Sequence, residues 1–343
     1  MVEAADDLLR VEGLTKRFAV RRGLLRPSRQ AIAAVTDVSF SVAPGETLGL
    51  VGESGSGKST TGRMIVRLVD PSAGRIVFEG RDITTVGGAE LRRARRNLQM
   101  VFQDPFASLD PHMTVADVVA EPLRAHHEGD RRAVRRRAGE LLELVGLTAA
   151  QGARRPAAFS GGQRQRIGIA RALALSPRLV VLDEPVSALD VSVQAQVLNL
   201  LDDLQRTLGV SFLLISHDLS VVRHVARRVA VMYMGRIVEV GETARIFAAP
   251  AHPYTQALLS AVPAVEVGGG HRAERIVLRG EPPDPVDLPA GCAFRGRCWR
   301  AGPGCDVEVP RLAPVAPGQD VACLHPVADP LAEPPDKEAA RTA

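Results

Sequence analysis

The sequence predicts an α/β fold with a mainly parallel sheet over residues 1–250, followed by an irregular C-terminal extension. Three observations carry this. Short apolar runs at Thr47–Val51, Val180–Leu182 and Val210–Ile215 have the length and continuity of strands buried on both faces. Helix-like segments separate them. In Val191–Leu208 the residues Val193, Val197, Leu201, Leu204 and Leu208 recur at steps of three or four and mark one apolar helix face. Alternating strands and helices are the pattern of an α/β domain. Beyond about residue 250 the texture changes: residues 250–343 hold 15 of the 24 prolines and all four cysteines. Such proline density excludes long helices and central strands.

The chain has 343 residues, 45% hydrophobic and 24% charged, enough for about two domains and a core that needs no metal or disulfide staple. It holds no uncharged apolar run of about 18 residues, so no helical membrane span is expected. The N-terminus, MVEAADDLLR, is acidic and lacks an apolar stretch, so a secretory signal is not expected and the cytoplasm is the expected compartment. A net charge of +4 does not point to nucleic acid. The arginine clusters Arg92–Arg96 and Arg131–Arg137 read as solvated helix faces, with a docking face near an anionic membrane as the alternative. No reading helix or aromatic-studded strand accompanies them, so no nucleic-acid partner is expected. Residues from Leu331 onward are expected to form a disordered tail.

The segment Gly52-Glu53-Ser54-Gly55-Ser56-Gly57-Lys58-Ser59 matches G-x-x-x-x-G-K-[ST], with Thr60 next to it. An apolar strand, Leu48–Val51, precedes it, and a helical segment, Ser59–Leu68, follows. Glycines let successive backbone N–H groups turn inward on phosphate oxygens, and the helix N-terminus adds partial positive charge. Lys58 is one of only three lysines in a chain that otherwise uses arginine. It is placed to bridge the β- and γ-phosphates of a nucleotide, and the Ser59 hydroxyl to hold Mg²⁺, which leaves kinase, GTPase, helicase and transporter open. Further along, Leu179–Leu182 leads into Asp183-Glu184. Asp183 suits a Mg²⁺ site, and Glu184 suits the group that polarises the attacking water. Ser160-Gly161-Gly162-Gln163 opens a helical run, Arg164–Leu173, and offers a second anion site. That site is redundant within one chain unless it serves another subunit's nucleotide.

Phe159–Gln163 with Arg164-Gln165-Arg166 resembles the signature motif of ATP-binding cassette (ABC) proteins. Gln103, after Met100-Val101-Phe102, resembles the Q-loop glutamine. Ser187-Ala188-Leu189-Asp190 resembles the D-loop, with Asp190 at its end. His217, after Phe212–Ile215, resembles the switch histidine, and Phe18 resembles the aromatic that stacks on adenine. The resemblance implies a P-loop NTPase core with an antiparallel β subdomain and a helical subdomain at about residues 104–158. It also implies a head-to-tail dimer that closes on two ATPs, each lying between one subunit's phosphate loop and the other's signature residues. Gln103 joins Ser59 and Asp183 around Mg²⁺ in that picture, and Lys58, Gln103, Glu184 and His217 form the catalytic set.

Two segments narrow the family. Gln103-Asp104-Pro105-Phe106-Ala107-Ser108-Leu109-Asp110-Pro111 and His252–Pro263 resemble the ATPases of oligopeptide, dipeptide and nickel importers. The extended loop Val20–Ala34 resembles the F-type subunit. The resemblance implies partners: a second ATPase subunit of D-type, two membrane permeases, and indirectly an extracellular substrate-binding protein. It implies a peripheral position on the cytoplasmic face of the membrane. Peptides are the cargo it favours; nickel, opines, glycosides, and a non-transport ABC ATPase are the alternatives.

Cys292, Cys298, Cys305 and Cys323 fall within 32 residues, with Arg297 and His325 beside two of them. A cytoplasmic site disfavours disulfides. Four thiolates can hold zinc or an iron–sulfur cluster, and the absence of a C-x2-C knuckle weakens a zinc ribbon. The pattern resembles a cysteine motif of peptide-importer ATPases, in some of which it holds an iron–sulfur centre. A [4Fe–4S] cluster, zinc and reduced thiols all stay open at this point.

Overall fold

The computed structural model describes residues 7–19, 31–262 and 275–327. The expected tail and most of the Val20–Ala34 loop lie outside them. The remainder of that loop is strand, because pairing with β1 begins at Ala31.

Strands β1 (Leu9–Ala19) and β2 (Ala31–Val42) pair antiparallel. Strand β3 (Thr47–Val51) runs into the phosphate loop and helix α1 (Lys58–Ile65). Next come β4 (Ala73–Phe78), β5 (Arg81–Asp82), α2 (Gly88–Asn97) and β6 (Leu98–Val101). Helices α3 (Val115–Ala125), α4 (Arg131–Leu144) and α5 (Gly161–Ala172) lie between β6 and β7 (Leu179–Asp183). Helix α6 (Val191–Leu208), β8 (Ser211–Ser216), α7 (Leu219–Val225), β9 (Arg228–Tyr233) and β10 (Arg236–Glu242) follow. The C-terminal part holds α8 (Thr243–Ala248), α9 (Pro253–Ser260), β11 (Ala313–Ala316) and β12 (Gln319–Val321).

The strands form two sheets. The smaller has the order β2-β1-β4-β5 and is antiparallel throughout; the larger has the order β11-β12-β10-β9-β3-β8-β7-β6. Its run from β9 to β6 is parallel. The period-two geometry of a strand explains why these segments read as continuous apolar runs. Leu179, Val181, Leu213 and Ile215 face the core shared with the small sheet, while Val180, Leu182, Phe212 and Leu214 face the core under the helices. Both faces are covered, so no polar alternation is needed.

Helix α6 spans the expected residues, and Val197, Leu201 and Leu204 are buried. Leu208 is not: it is 49% exposed beside the left-handed Gly209 that ends the helix. Its place on the apolar face falls beyond the last turn that the sheet covers.

The C-terminal extension departs from the irregular unit expected. Strand β12 pairs with β10, so it continues the main sheet, and β11 is its edge. Pro314 sits on that edge strand, where a missing N–H costs no ladder bond. Tyr254 and Phe294 are buried in the same core as β7 and β8. Glu239 of β10 is the anchor. Its buried carboxylate accepts from the Ala251 N–H (2.7 Å), the His252 N–H (3.0 Å) and Gln319 Nε2 (2.7 Å), tying β10, α9 and β12 together.

Candidate active site

The phosphate loop connects β3 to α1 and depends on two glycines. Gly57 has φ +102°, and a Cβ there would stand 2.3 Å from the Ala34 carbonyl oxygen. A Cβ at Gly52 would stand 2.1 Å from the Met232 carbonyl oxygen. Only glycine fits these approaches without moving backbone. Lys58 donates to the carbonyls of Gly52 and Glu53, each at 2.8 Å. Burial lowers its pKa, and the nearby carboxylates of Glu184, Asp183 and Glu53 oppose that shift.

Asp183, the last residue of β7, is fully buried. Its Oδ1 accepts from the Ser59 hydroxyl at 2.7 Å, whereas its Oδ2 has no hydrogen-bond partner. Arg63 approaches that oxygen only to 4.0 Å. Burial raises the pKa of the carboxyl, against the Ser59 hydrogen bond and Arg63. A buried carboxylate oxygen left unpaired next to a hydroxyl is costly. Together they fit a hard divalent cation such as Mg²⁺, which prefers oxygen ligands.

Glu184 follows with φ +47°, an unfavourable backbone state for a residue with a Cβ. This conformation turns its carboxylate out of the strand. Oε2 accepts from Gln103 Nε2 at 2.8 Å, and Oε1 stands 3.2 Å from His217 Nδ1. Gln103 comes from the loop after β6 and His217 from the loop after β8. Three loops at the carboxyl ends of adjacent parallel strands thus meet on one carboxylate. A cavity of about 230 Å³ lies here, lined by Ser54, Gly55, Gly57, Lys58, Ser59 and Thr60 of the loop region, and by Gln103 and Glu184.

The structure does not bring every sequence-derived residue to this cavity. Phe18 lies near the end of β1, 40% exposed, with the Lys16 ammonium 5.0 Å from its ring centroid, and does not line the cavity. Residues Ile32–Ala34, Met234, Gly235 and Pro285 do line it. None carries a sequence signal, because each arrives through long-range packing. Ser160–Gln163 also lie outside it. They form a reciprocal cap at the start of α5: the Gln163 N–H donates to Ser160 Oγ, and the Ser160 N–H to Gln163 Oε1. The S-x-x-Q spacing carries that signal. Asp190 caps α6, accepting from the Val193 N–H at 3.0 Å, which is the main cause of its lowered pKa. Phe106, 59% exposed, lies under the Arg164 guanidinium at 4.1 Å, so the segment after Gln103 touches the helix that Ser160 opens.

The chain is similar to known proteins over most of its length. The ABC transporter family profile matches residues 35–187. The profile of the oligopeptide/dipeptide transporter C-terminal region matches residues 238–305. The oligopeptide transport ATP-binding protein AppF of Bacillus subtilis is 49% identical over 319 residues, covering 93% of this chain and 97% of the relative. The chain belongs to the ABC transporter ATP-binding proteins, in their oligopeptide/dipeptide branch. The probable peptide ABC transporter ATP-binding protein y4tS of Sinorhizobium fredii is 50% identical, over 93% of this chain and 90% of that one. Among solved structures, the dimeric post-hydrolysis state of the ATP-binding cassette MJ0796, bound to ADP and Pi, shares 29% identity. It covers 68% of this chain and 98% of its own, with a TM-score of 0.61. The protein is an ABC ATPase, a class that binds ATP with Mg²⁺ and works as a dimer of cassettes alongside membrane permeases. Among the described residues no helix is long and apolar enough to cross a membrane.

The four cysteines are free thiols in the extension. The Cys292 N–H donates to the Cys305 carbonyl at 2.9 Å. Burial pushes the Cys298 thiol up to about 11, and the neighbouring Cys323, Cys292 and Cys305 add to the shift. Among the described residues no group of three or more His, Cys, Asp or Glu side chains could hold a metal ion directly.

Proposed function

We propose that this chain is the ATP-hydrolysing subunit that energises uptake of oligopeptides or dipeptides through an ABC permease. The observation that carries the catalytic part is the Glu184 carboxylate, held between Gln103 and His217 beside the buried Asp183–Ser59 pair. In this reading the loop Gly52–Ser59 and Thr60 bind the triphosphate, with Phe18 against the adenine. Ser59, Asp183 and Gln103 hold Mg²⁺, which when bound neutralises charge on the phosphate oxygens. Glu184 takes the proton of the attacking water, His217 orients Glu184, and Lys58 balances the developing charge. Ser160, Gly161, Gly162 and Gln163 serve the ATP of the partner subunit, and Asp190 lies at that interface.

The N-terminal 250 residues act as the cassette, residues 251–330 as the importer-type extension and 331–343 as a tail. The partner is a D-type ATPase in a heterodimer, and two permease subunits hold the pair on the cytoplasmic face of the membrane. A groove of about 350 Å³ between α3 and β6 supports a docking site for a short permease helix. It combines apolar Phe102, Leu68 and Met100 with charged Glu121, Arg95 and Arg171. Its Phe102 adjoins Gln103, so a load on the groove is felt at the Glu184 carboxylate. An extracellular binding protein delivers the peptide to the permeases.

The four cysteines support a second, local reading, a [4Fe–4S] cluster. They resemble the cysteine motif that holds an iron–sulfur centre in some peptide-importer ATPases, and four thiolates can ligate such a cluster. Iron and acid-labile sulfide content of anaerobically purified protein tests it.

The transport reading is tested with the full importer in proteoliposomes. Peptide-loaded binding protein is expected to stimulate ATP hydrolysis. Stimulation only by nickel-, opine- or glycoside-loaded binding protein reassigns the cargo, and ATPase activity indifferent to any permease removes the transport role.

A further inference from the structure

Among the described residues, the hydrogen bonds from the C-terminal extension to the phosphate loop converge on one residue. Glu53, second in the loop, is held at three points. Its carboxylate receives two hydrogen bonds from Arg297, Nη1 to Oε2 at 2.8 Å and Nη2 to Oε1 at 3.1 Å. Its N–H donates to Tyr254 Oη at 2.9 Å, and its carbonyl accepts from Lys58 Nζ at 2.8 Å. Arg297 and Tyr254 both lie beyond residue 250. Tyr254 is fully buried, and the Arg297 side chain is only 10% exposed. The Arg297 guanidinium also lies 5.9 Å from the Tyr233 ring centroid, and Tyr233, Tyr254 and Phe294 pack with centroids 4.6–5.5 Å apart.

Two features distinguish this from a staple that merely fastens the extension. A carboxylate in a loop built to receive polyphosphate is electrostatically adverse, because the loop's inward N–H groups and Lys58 serve anions. Arg297 cancels that charge at the place where it opposes binding. The contact is also two-pronged: a bidentate guanidinium fixes the plane of the carboxylate, while Tyr254 fixes the backbone of the same residue. Both contacts therefore act on loop shape. A third contact lies alongside, since the Pro285 carbonyl accepts from the Ala33 N–H at 3.2 Å and Pro285 lines the nucleotide cavity.

We propose that Arg297 and Tyr254 are positioning residues of the nucleotide site: the C-terminal extension neutralises and fixes the phosphate loop through Glu53, so that nucleotide affinity depends on the extension. This rests on the reading of Gly52–Ser59 as the ATP site. It requires no group beyond the residues described.

The test uses the full-length chain and calorimetric binding of Mg-ADP. Arg297→Ala is expected to weaken binding about 10-fold, and Arg297→Lys and Tyr254→Phe about 3-fold, as fits loss of charge-assisted and neutral hydrogen bonds. In steady-state hydrolysis KM for ATP rises while kcat stays within about twofold; a general loss of fold lowers kcat and leaves KM unchanged. The pair Glu53→Ala/Arg297→Ala binds no more weakly than Arg297→Ala alone, because the stranded carboxylate is gone. Wild-type affinity in Arg297→Ala, or additive losses in the pair, overturns the proposal. Lys58→Ala separates the two levels. If it binds Mg-ADP normally, the nucleotide site itself is misassigned; if it does not bind and Arg297→Ala is unaffected, only the clamp fails.

Discussion

His252 makes the anchoring of Tyr254 sensitive to acid. The residue is 1% exposed and caps α9: its Nδ1 accepts from the Tyr254 N–H at 3.0 Å. Burial pushes the imidazole pKa down to about 3. A protonated ring cannot accept that hydrogen bond, and its charge would sit buried among Phe294 and the end of the sheet. In the unfolded chain the ring titrates near 6.5. Between the two values the unfolded state binds a proton that the folded state refuses. Stability from this residue is therefore present above pH 6.5 and lost as pH falls from 6.5 towards 3. The loss is about 2 kcal/mol at pH 5 and about 0.2 kcal/mol at pH 7, and it is set almost wholly by the unfolded value as long as the folded pKa lies below about 4. The substitution His252→Asn keeps a capping acceptor without a titrating ring. Urea unfolding at pH 7 and pH 5 should show the gap between wild type and variant shifting by about 2 kcal/mol in the variant's favour at pH 5. Parallel pH dependences would mean that His252 titrates equally in both states and is not held neutral by burial.

Three other outcomes are expected. Glu239→Ala leaves the N–H groups of Ala251 and His252 and the Gln319 amide without their buried acceptor; it should cost about 3 kcal/mol or more in urea unfolding at pH 7. Gly57→Ala places a methyl against the Ala34 carbonyl in a left-handed backbone state, and calorimetry should show Mg-ADP affinity falling at least about 10-fold. Cys298, held at about 11, should react with iodoacetamide at pH 7.5 about 100-fold more slowly in metal-free protein than an ordinary cysteine, followed by mass spectrometry.

Much of the candidate site is legible in the sequence because its parts are short and local. The glycines and lysine of Gly52–Ser59 announce a strand–loop–helix turn, and Asp183-Glu184 closes an apolar run. Gln103 and His217 are legible only through the family resemblance, and only the fold brings those two onto Glu184. What the sequence concealed depends on distant pairing. Strands of three or four residues such as β11 and β12 have no period to read, so proline density alone suggested an irregular extension. Arg297 looked notable only as a neighbour of Cys298; nothing in its surroundings points to Glu53, 244 residues away. Leu208 kept its helical spacing yet lies past the sheet that covers Leu204. The family resemblance gives Ser160 and Asp190 roles between subunits, and the structure adds that both are helix caps, with spacings that the sequence does contain.

In the proposed function Glu184, steered by Gln103 and His217, takes the proton of the attacking water. Single-turnover hydrolysis by Glu184→Gln, assembled with its partner subunits, tests it most directly. The variant should retain ATP and lose about 10²- to 10⁴-fold in hydrolysis rate, the range expected for removal of a general base. Hydrolysis at the wild-type rate, with ATP bound as before, would contradict it.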